Sequence, residues 1–261
     1  MPTLLFKLVL TPALIGGATL AARRWGPGVG GWLVGLPLTS GPVAFFLALD
    51  HGTSFAVAAA IGSIGGAAAE AGFCLAYAAV GRRVRWPLAI AAGSLGYVLA
   101  SVAIQPALLL PLGGELAVVV AVLALSFLAI PPSQGRVRGA EAPAWDLPAR
   151  MVVGTAIVVL LTAVAPALGP HLTGLLAAFP VYAAVLAGFT HHLEGGAQAM
   201  DVLRGLLIGL FAFTGFFAVI NLSLGTLGVA LSFAAAVVTA LAIQGATLSA
   251  RWVVQPRPGG G

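Results

Sequence analysis

Long apolar stretches follow one another along almost the whole chain, separated by short segments that hold most of its charged residues. Only 7% of the residues are charged and 60% are hydrophobic, whereas a water-soluble domain carries about 25% charged residues. Because this chain cannot cover itself with polar side chains, we expect it to be embedded in lipid. The apolar runs are continuous rather than alternating, which predicts membrane-spanning helices and not a β-barrel.

The sequence predicts an all-α integral membrane protein, because at about 20 apolar residues per span the chain divides into about nine helices. These spans are predicted at residues 3–22, 29–49, 54–80, 87–108, 116–130, 151–168, 172–190, 200–222 and 225–248. Gly113–Glu115 predicts a turn, and the Pro- and charge-rich stretch 131–150 predicts a linker. Residues 251–261 are predicted to form a disordered tail.

Two of these spans are diverged copies of one another. Gly26–Gly52 and Gly169–Gly195 are offset by 143 positions, and both have a proline near the middle. The first copy shares eight residues with the second, at positions 26, 27, 31, 33, 37, 44, 46 and 52. Paired, interrupted spans in two halves of a membrane protein are the best sequence indication of a transport site.

The duplication predicts four segments. Residues 1–110 form a first repeat of four helices, 111–146 a reversing helix with a cytoplasmic linker, 147–250 a second four-helix repeat, and 251–261 the tail. With this span count, every basic residue except Lys7 lies on one side, which the positive-inside rule assigns to the cytoplasm. The N-terminus is then outside, the C-terminus is cytoplasmic, and the two repeats are inverted relative to each other in the membrane.

Each half resembles the small four-span bacterial inner-membrane proteins of the GlpM type. The resemblance rests on the motif Leu-Pro-Leu-Thr-Ser at residues 36–40 with an acidic, glycine-ended turn at Asp50–Gly52. The second half has Phe-Pro-Val-Tyr at residues 179–182 and ends at Glu194-Gly195. The resemblance covers roughly residues 1–110 and 147–250 and implies architecture more than function, because the activity of that family is poorly defined.

Glu70 is the strongest single candidate for function, because it lies well inside the third span. An ionisable group there costs a few kcal/mol unless it is paired, hydrated or neutral. Ser63 and Tyr77 lie seven residues to either side, so the three share one helix face. We expect Glu70 to exchange protons, and the alternative is a protonated acid that is hydrogen-bonded for packing.

The broken centres of the second and seventh spans are the second candidate group. A proline inside a span frees backbone carbonyl groups, and these can coordinate a substrate where they line a cavity. The predicted substrate and coupling residues are therefore Glu70 with Pro37, Thr39, Ser40, Pro180, Tyr182, Ser63 and Tyr77. We expect Glu70 to face a polar cavity between these two breaks.

These features favour a secondary carrier for a small solute or ion, with a proton as the coupling ion. The alternatives are a non-catalytic accessory protein and an intramembrane lipid-modifying enzyme, although the chain has no clustered acids, histidines or nucleophile for catalysis. We predict no enzymatic activity, no cofactor and no metal site, because His191, His192 and Glu194 match no strong zinc pattern. Basic residues are too few for nucleic-acid binding. The predicted partners are the lipid bilayer and the transported solute.

Overall fold

The structure, a computed structural model, describes residues 2–38, 40–133, 143–157, 159–160 and 179–254. Every regular element in these ranges is a helix, which confirms the predicted all-α class. The helices are α1 (Pro2–Trp25), α2 (Pro27–Val34), α3 (Ser40–His51), α4 (Thr53–Gly81), α5 (Trp86–Ala103), α6 (Leu112–Ala129), α7 (residues 146–157), α8 (Val181–Glu194) and α9 (Gly196–Val254). A 3₁₀ helix at Gln105–Leu109 follows α5.

Four of the described helical segments are long and apolar enough to cross a membrane. They are Thr53–Gly81, Trp86–Leu109, Leu112–Ala129 and Gly196–Thr247. The last one has 52 residues. At a rise of 1.5 Å per residue it would be about 78 Å long if straight, more than twice the ~30 Å hydrocarbon core of a bilayer.

Helix α9 is not straight, because Gly228 has φ 72° and ψ 175°. We call the two arms α9a (residues 196–227) and α9b (residues 229–254). Gly215 contacts Ile243 across this point, so the chain reverses there. The predicted turn between Leu222 and Gly225 is therefore wrong by a few residues. Gly225 is accommodated in the helix, whereas the positive φ at residue 228 favours glycine.

The predicted interruption at Pro37 is confirmed, since α2 ends at Val34 and α3 begins at Ser40. The second predicted interruption has a matching feature, because α8 begins directly after Pro180, whose φ and ψ are −76° and 61°. We call the segments around Pro37 and Pro180 the first and second breaks. Residues 161–178 lie outside the described part of the chain.

Three predicted loop boundaries are wrong. Gly113–Glu115 lies inside the first turn of α6, which begins after Pro111 and carries Glu115 at its N-terminal end. An acid in this position is stabilised by the helix dipole. The linker predicted at 131–150 already becomes helical at Asp146, and the predicted tail is helical as far as Val254.

Glycines allow α4 to cross α5, and α9a to cross α9b, at close range. A Cβ atom added to Gly72 would overlap Ala100 and the carbonyl oxygen of Gly96. In the second pair a Cβ atom on Gly215 would overlap Ile243. Small residues let the backbones of membrane helices approach in this way.

Helix α2 runs in the same direction as α9a. Gly28 lies against Gly205 near the start of each segment, and Gly35 lies against Gly209 further along both. Gly52 (φ 84°, ψ 168°) then turns the chain from α3 into α4, and these two helices pack together. Helix α4 therefore runs opposite to α9a.

One end of the molecule gathers several arginines, and we call it the arginine end. Arg23 at the end of α1 pairs with Asp146 at the start of α7, with 2.9 Å between Nη2 and Oδ2. Arg82, after α4, donates to the carbonyl groups of Pro131 and Pro132 after α6. The last residue of α4, Gly81, contacts the first residue of α9. The ends of α1, α4 and α6 and the start of α9 thus lie together.

Candidate functional site

Glu70 lies in the middle of α4 and is partly exposed. Its carboxyl group interacts electrostatically with the thiol of Cys74, one turn further on, and with the phenol of Tyr97 on α5. Among the described residues, Glu70 has no hydrogen-bond or ion-pair partner. The acid therefore lies between α4 and α5 without a counter-charge among the described residues.

The second break packs beside Glu70. Phe179, the residue before Pro180, lies edge-on to Phe73, which is one helical turn from Glu70, with 5.9 Å between the ring centroids. The ring of Phe179 also packs edge-on against Tyr97, at 5.5 Å. The structure thus brings together Glu70 and the second break, two features that the sequence predicted to share one site.

The first break packs mainly on another helix. Pro37 is buried and Ser40 partly buried at the start of α3. The flanking residue Gly35 lies against Gly209, and Gly41 against the ring of Phe216, both on α9a. These contacts set the first break against α9a, whereas the second break lies on α4 and α5. Thr39 lies outside the described residues, and a cavity shared by both breaks stays a prediction.

The predicted hydroxyl groups have separate partners. Ser63 donates to the carbonyl oxygen of Ala59 within α4, at 3.0 Å. The hydroxyl of Tyr182 lies 3.1 Å from Oγ1 of Thr11 on α1. The hydroxyl of Tyr77 lies 2.9 Å from Nδ1 of His191 on α8. Tyr77 therefore links α4 to α8 rather than to Glu70, two turns away.

A row of aromatic rings extends from Glu70 toward the arginine end. Tyr97 packs on Phe179, Phe179 on Phe73, and Phe73 on Tyr77, with 5.9 Å between the last two ring centroids. The Tyr77 ring then lies 5.9 Å from the imidazole of His191. All three residues of this row on α4 and α5 are fully or nearly fully buried.

The row ends at a basic cleft of about 580 Å³ at the arginine end. We define the basic cleft by Gly81–Trp86 on one side and by His191, His192, Gly195 and Gly196 on the other. His191 lies outside the predicted spans, and burial lowers its pKa from 6.5, partly offset by a backbone hydrogen bond at Val84. His192 packs against Trp86, with ring centroids 6.2 Å apart.

A buried ion-pair group at the arginine end was missed by the sequence analysis. Asp146 is 1% exposed, and Arg150 is 3% exposed. Nε of Arg150 donates to Oδ1 of Asp146 at 2.7 Å, while Arg23 binds the other carboxylate oxygen. The guanidinium of Arg150 also lies over the ring of Phe189, 5.2 Å from its centroid. The only sequence signal was an acid and an arginine four residues apart, a helical spacing.

The chain matches no protein-family model, no curated protein and no solved structure in the comparisons made with each. The resemblance to GlpM-type proteins consequently rests on the short sequence motifs alone.

Proposed function

We propose that the chain is a secondary carrier for a small solute or ion, built from two inverted four-span repeats with a fifth span between them. In such carriers, similar halves exchange conformations and expose a central site to each side of the membrane in turn. The observation that carries this proposal is a set of helix contacts that recurs 143 positions along the chain.

The first recurring contact lies within each half. Gly72 on α4 lies against Gly96 and Ala100 on α5. Adding 143 to each number gives residues 215, 239 and 243, and Gly215 on α9a does lie against Thr239 and Ile243 on α9b. The α4–α5 pair and the α9a–α9b pair therefore pack in the same register, as two copies of one unit would.

A second recurring contact joins the two halves. The ring of Phe45 on α3 lies edge-on to that of Phe233 on α9b, 5.1 Å between centroids. The equivalent positions are 188 and 90, and Gly188 on α8 lies against Ile90 on α5. In each half, the short helix that follows the break thus packs on the last helix of the other half. This reciprocal exchange is expected of two copies related by a two-fold axis.

Helix direction supports inversion rather than a parallel repeat. Helices α4 and α9a occupy equivalent places, because each begins after a glycine with positive φ: Gly52 (φ 84°, ψ 168°) and Gly195 (φ 105°, ψ 167°). They pack against each other, and the end of α4 contacts the start of α9a, so they run in opposite directions. Equivalent helices of opposite direction require a two-fold axis in the membrane plane.

The halves differ at the residue that would couple transport to a proton. Glu70 is equivalent to Phe213, whose ring packs on Phe217 at 4.8 Å. Among the described residues, the second break thus has an acid beside it, and the equivalent position in the other half is a phenylalanine. In this mechanism Glu70 takes up a proton when the site is open to one side and releases it when the site is open to the other. The freed carbonyls at the breaks bind the solute.

Proteoliposomes that contain a pH-sensitive dye test the proposal. Pools of amino acids, sugars, organic acids and inorganic ions are added outside, and proton movement is recorded. We expect one pool to move protons through the wild type, and Glu70→Gln to abolish this movement while solute exchange remains. Glu115→Gln is the matched control, because Glu115 is also a buried acid but lies at the start of α6.

The outcomes separate the alternatives. Full proton-coupled transport by Glu70→Gln would make the acid a packing residue. If the wild type neither moves protons nor exchanges solute with any pool, the carrier proposal fails and a non-catalytic accessory role is favoured.

A further inference from the structure

The described residues that line the basic cleft include three arginines and two histidines. Arg82, Arg83 and Arg85 lie within four consecutive positions, and none of the residues that line the cleft has a carboxylate. Arg82 donates to two backbone carbonyl groups. Arg83 and Arg85 are exposed and have no ion-pair partner among the described residues. Two guanidinium groups are therefore available to a ligand.

The floor of the cleft is fixed by a close backbone approach. A Cβ atom added to Gly196 would overlap the carbonyl oxygen of Gly81, so the last turn of α4 and the first turn of α9 touch. The first N–H groups of a helix have no acceptor within it, and Gly196, the first residue of α9, lines the cleft. Such a helix start adds donors to a site that arginines already make basic.

Imidazole groups form the opposite wall. His191 is held in place by the hydroxyl of Tyr77 at 2.9 Å, and His192 by its contact with Trp86. A bound dianion would favour the protonated form of His191, because an opposite charge nearby stabilises a cation. The charge of this wall can thus change with the charge of the bound ligand.

We propose that the basic cleft binds a phosphate group, either of a free phosphate-bearing solute or of an anionic lipid headgroup. Planar guanidinium groups match phosphate oxygens in pairs, and a cavity of about 580 Å³ is large enough for a small phosphate ester. Basic pockets between membrane helices bind lipid phosphates by the same chemistry. This site goes beyond the proposed carrier function, because it lies at the arginine end and not at Glu70.

The test compares Arg83→Ala/Arg85→Ala with the wild type. The control is Arg24→Ala, because Arg24 is also exposed at the arginine end, in the last turn of α1. In the first arm, inorganic phosphate is titrated against the thermal midpoint of the detergent-purified chain, with chloride at matched ionic strength. In the second arm, native mass spectrometry counts phosphatidylglycerol retained from nanodiscs of phosphatidylcholine and phosphatidylglycerol.

We expect the double variant to bind about tenfold or more weakly in at least one arm, with Arg24→Ala unchanged. A loss confined to the phosphate arm identifies a free phosphate-bearing ligand, and a loss confined to the lipid arm identifies a headgroup. Equal binding by the double variant and the wild type in both arms, or an equal loss in Arg24→Ala, overturns the proposal. If the alanine variant does not fold, Arg83→Gln/Arg85→Gln replaces it with the same expected result.

Discussion

The hydroxyl of Tyr77 lies 2.9 Å from Nδ1 of His191 and joins the last turns of α4 to the last turn of α8. The same hydroxyl is 3.5 Å from the carbonyl oxygen of Ala187. Tyr77 is fully buried, so its polar atom needs a partner. The contact connects the aromatic row beside Glu70 to the wall of the basic cleft.

Removing this hydroxyl should destabilise the contact between α4 and α8. We expect Tyr77→Phe to lower the free energy of unfolding by about 1 kcal/mol, because a buried hydrogen bond is lost while the ring stays. Tyr77→Ala should cost about 3 kcal/mol or more, because it also opens a cavity. Chemical unfolding in detergent micelles measures both, and equal stability of Tyr77→Phe and the wild type would contradict the assignment.

Acidification should weaken the same contact. Burial lowers the pKa of His191 below 6.5, so the unfolded chain takes up a proton at a pH where the folded chain does not. Unfolding therefore becomes more favourable as pH falls through about 6.5. We expect His191→Gln to flatten the dependence of the thermal midpoint on pH between 7 and 5, and an unchanged slope would show that another group is responsible.

Breaking the buried ion pair should have the largest effect on stability. Asp146→Asn removes the carboxylate paired with Arg150, which is 3% exposed and then keeps only the carboxylate of Glu194 as an electrostatic partner. A lost partner of this kind costs about 3–5 kcal/mol. Arg23→Gln should cost under about 1 kcal/mol, since the side chain of Arg23 is 36% exposed. Similar unfolding free energies for the two variants would argue against a buried pair.

The close approach of α2 and α9a predicts that alanine destabilises the protein at one glycine and not at another. A Cβ atom on Gly31 would overlap the carbonyl oxygen of Val202, whereas one on Gly17 would meet nothing within 4 Å. We expect Gly31→Ala to cost about 1–3 kcal/mol through overpacking. Gly17→Ala should be neutral or slightly stabilising, because alanine is the better helix former. The thermal midpoints of the two variants in detergent decide this prediction.

The sequence predicted the features that are local in origin. Proline has no N–H group and clashes with the preceding turn, which predicts the interruption at Pro37, although α1 continues through Pro12. The change from α5 to a 3₁₀ helix at Gln105-Pro106 has the same cause. Glycine is less informative, because a helix accommodates it at Gly225 and a turn requires it at Gly228.

Features that depend on packing between distant segments could not be predicted. In the sequence, Asp146 is one charged residue in a polar linker. It becomes the centre of a buried ion-pair group only because α1 and α8 lie close to it and to Arg150. The partner of Tyr77 is 114 positions away, although the sequence placed it on the face of Glu70. The two breaks are far apart in the chain. No local pattern indicates that the first break packs on α9a and the second on α4.

Alternating access at the breaks is tested most directly by the accessibility of a single cysteine. Cys74 is the only cysteine, so Ser40→Cys is made in a Cys74→Ala chain. Right-side-out and inside-out vesicles are treated with a membrane-impermeant maleimide. Arg24→Cys and Gly113→Cys are the controls, because both residues are exposed and lie at opposite ends of the molecule. We predict that each control reacts from one side only, Arg24→Cys from the cytoplasm and Gly113→Cys from outside, and that Ser40→Cys reacts from both sides. Reaction of Ser40→Cys from one side only, or from neither, would contradict the carrier mechanism.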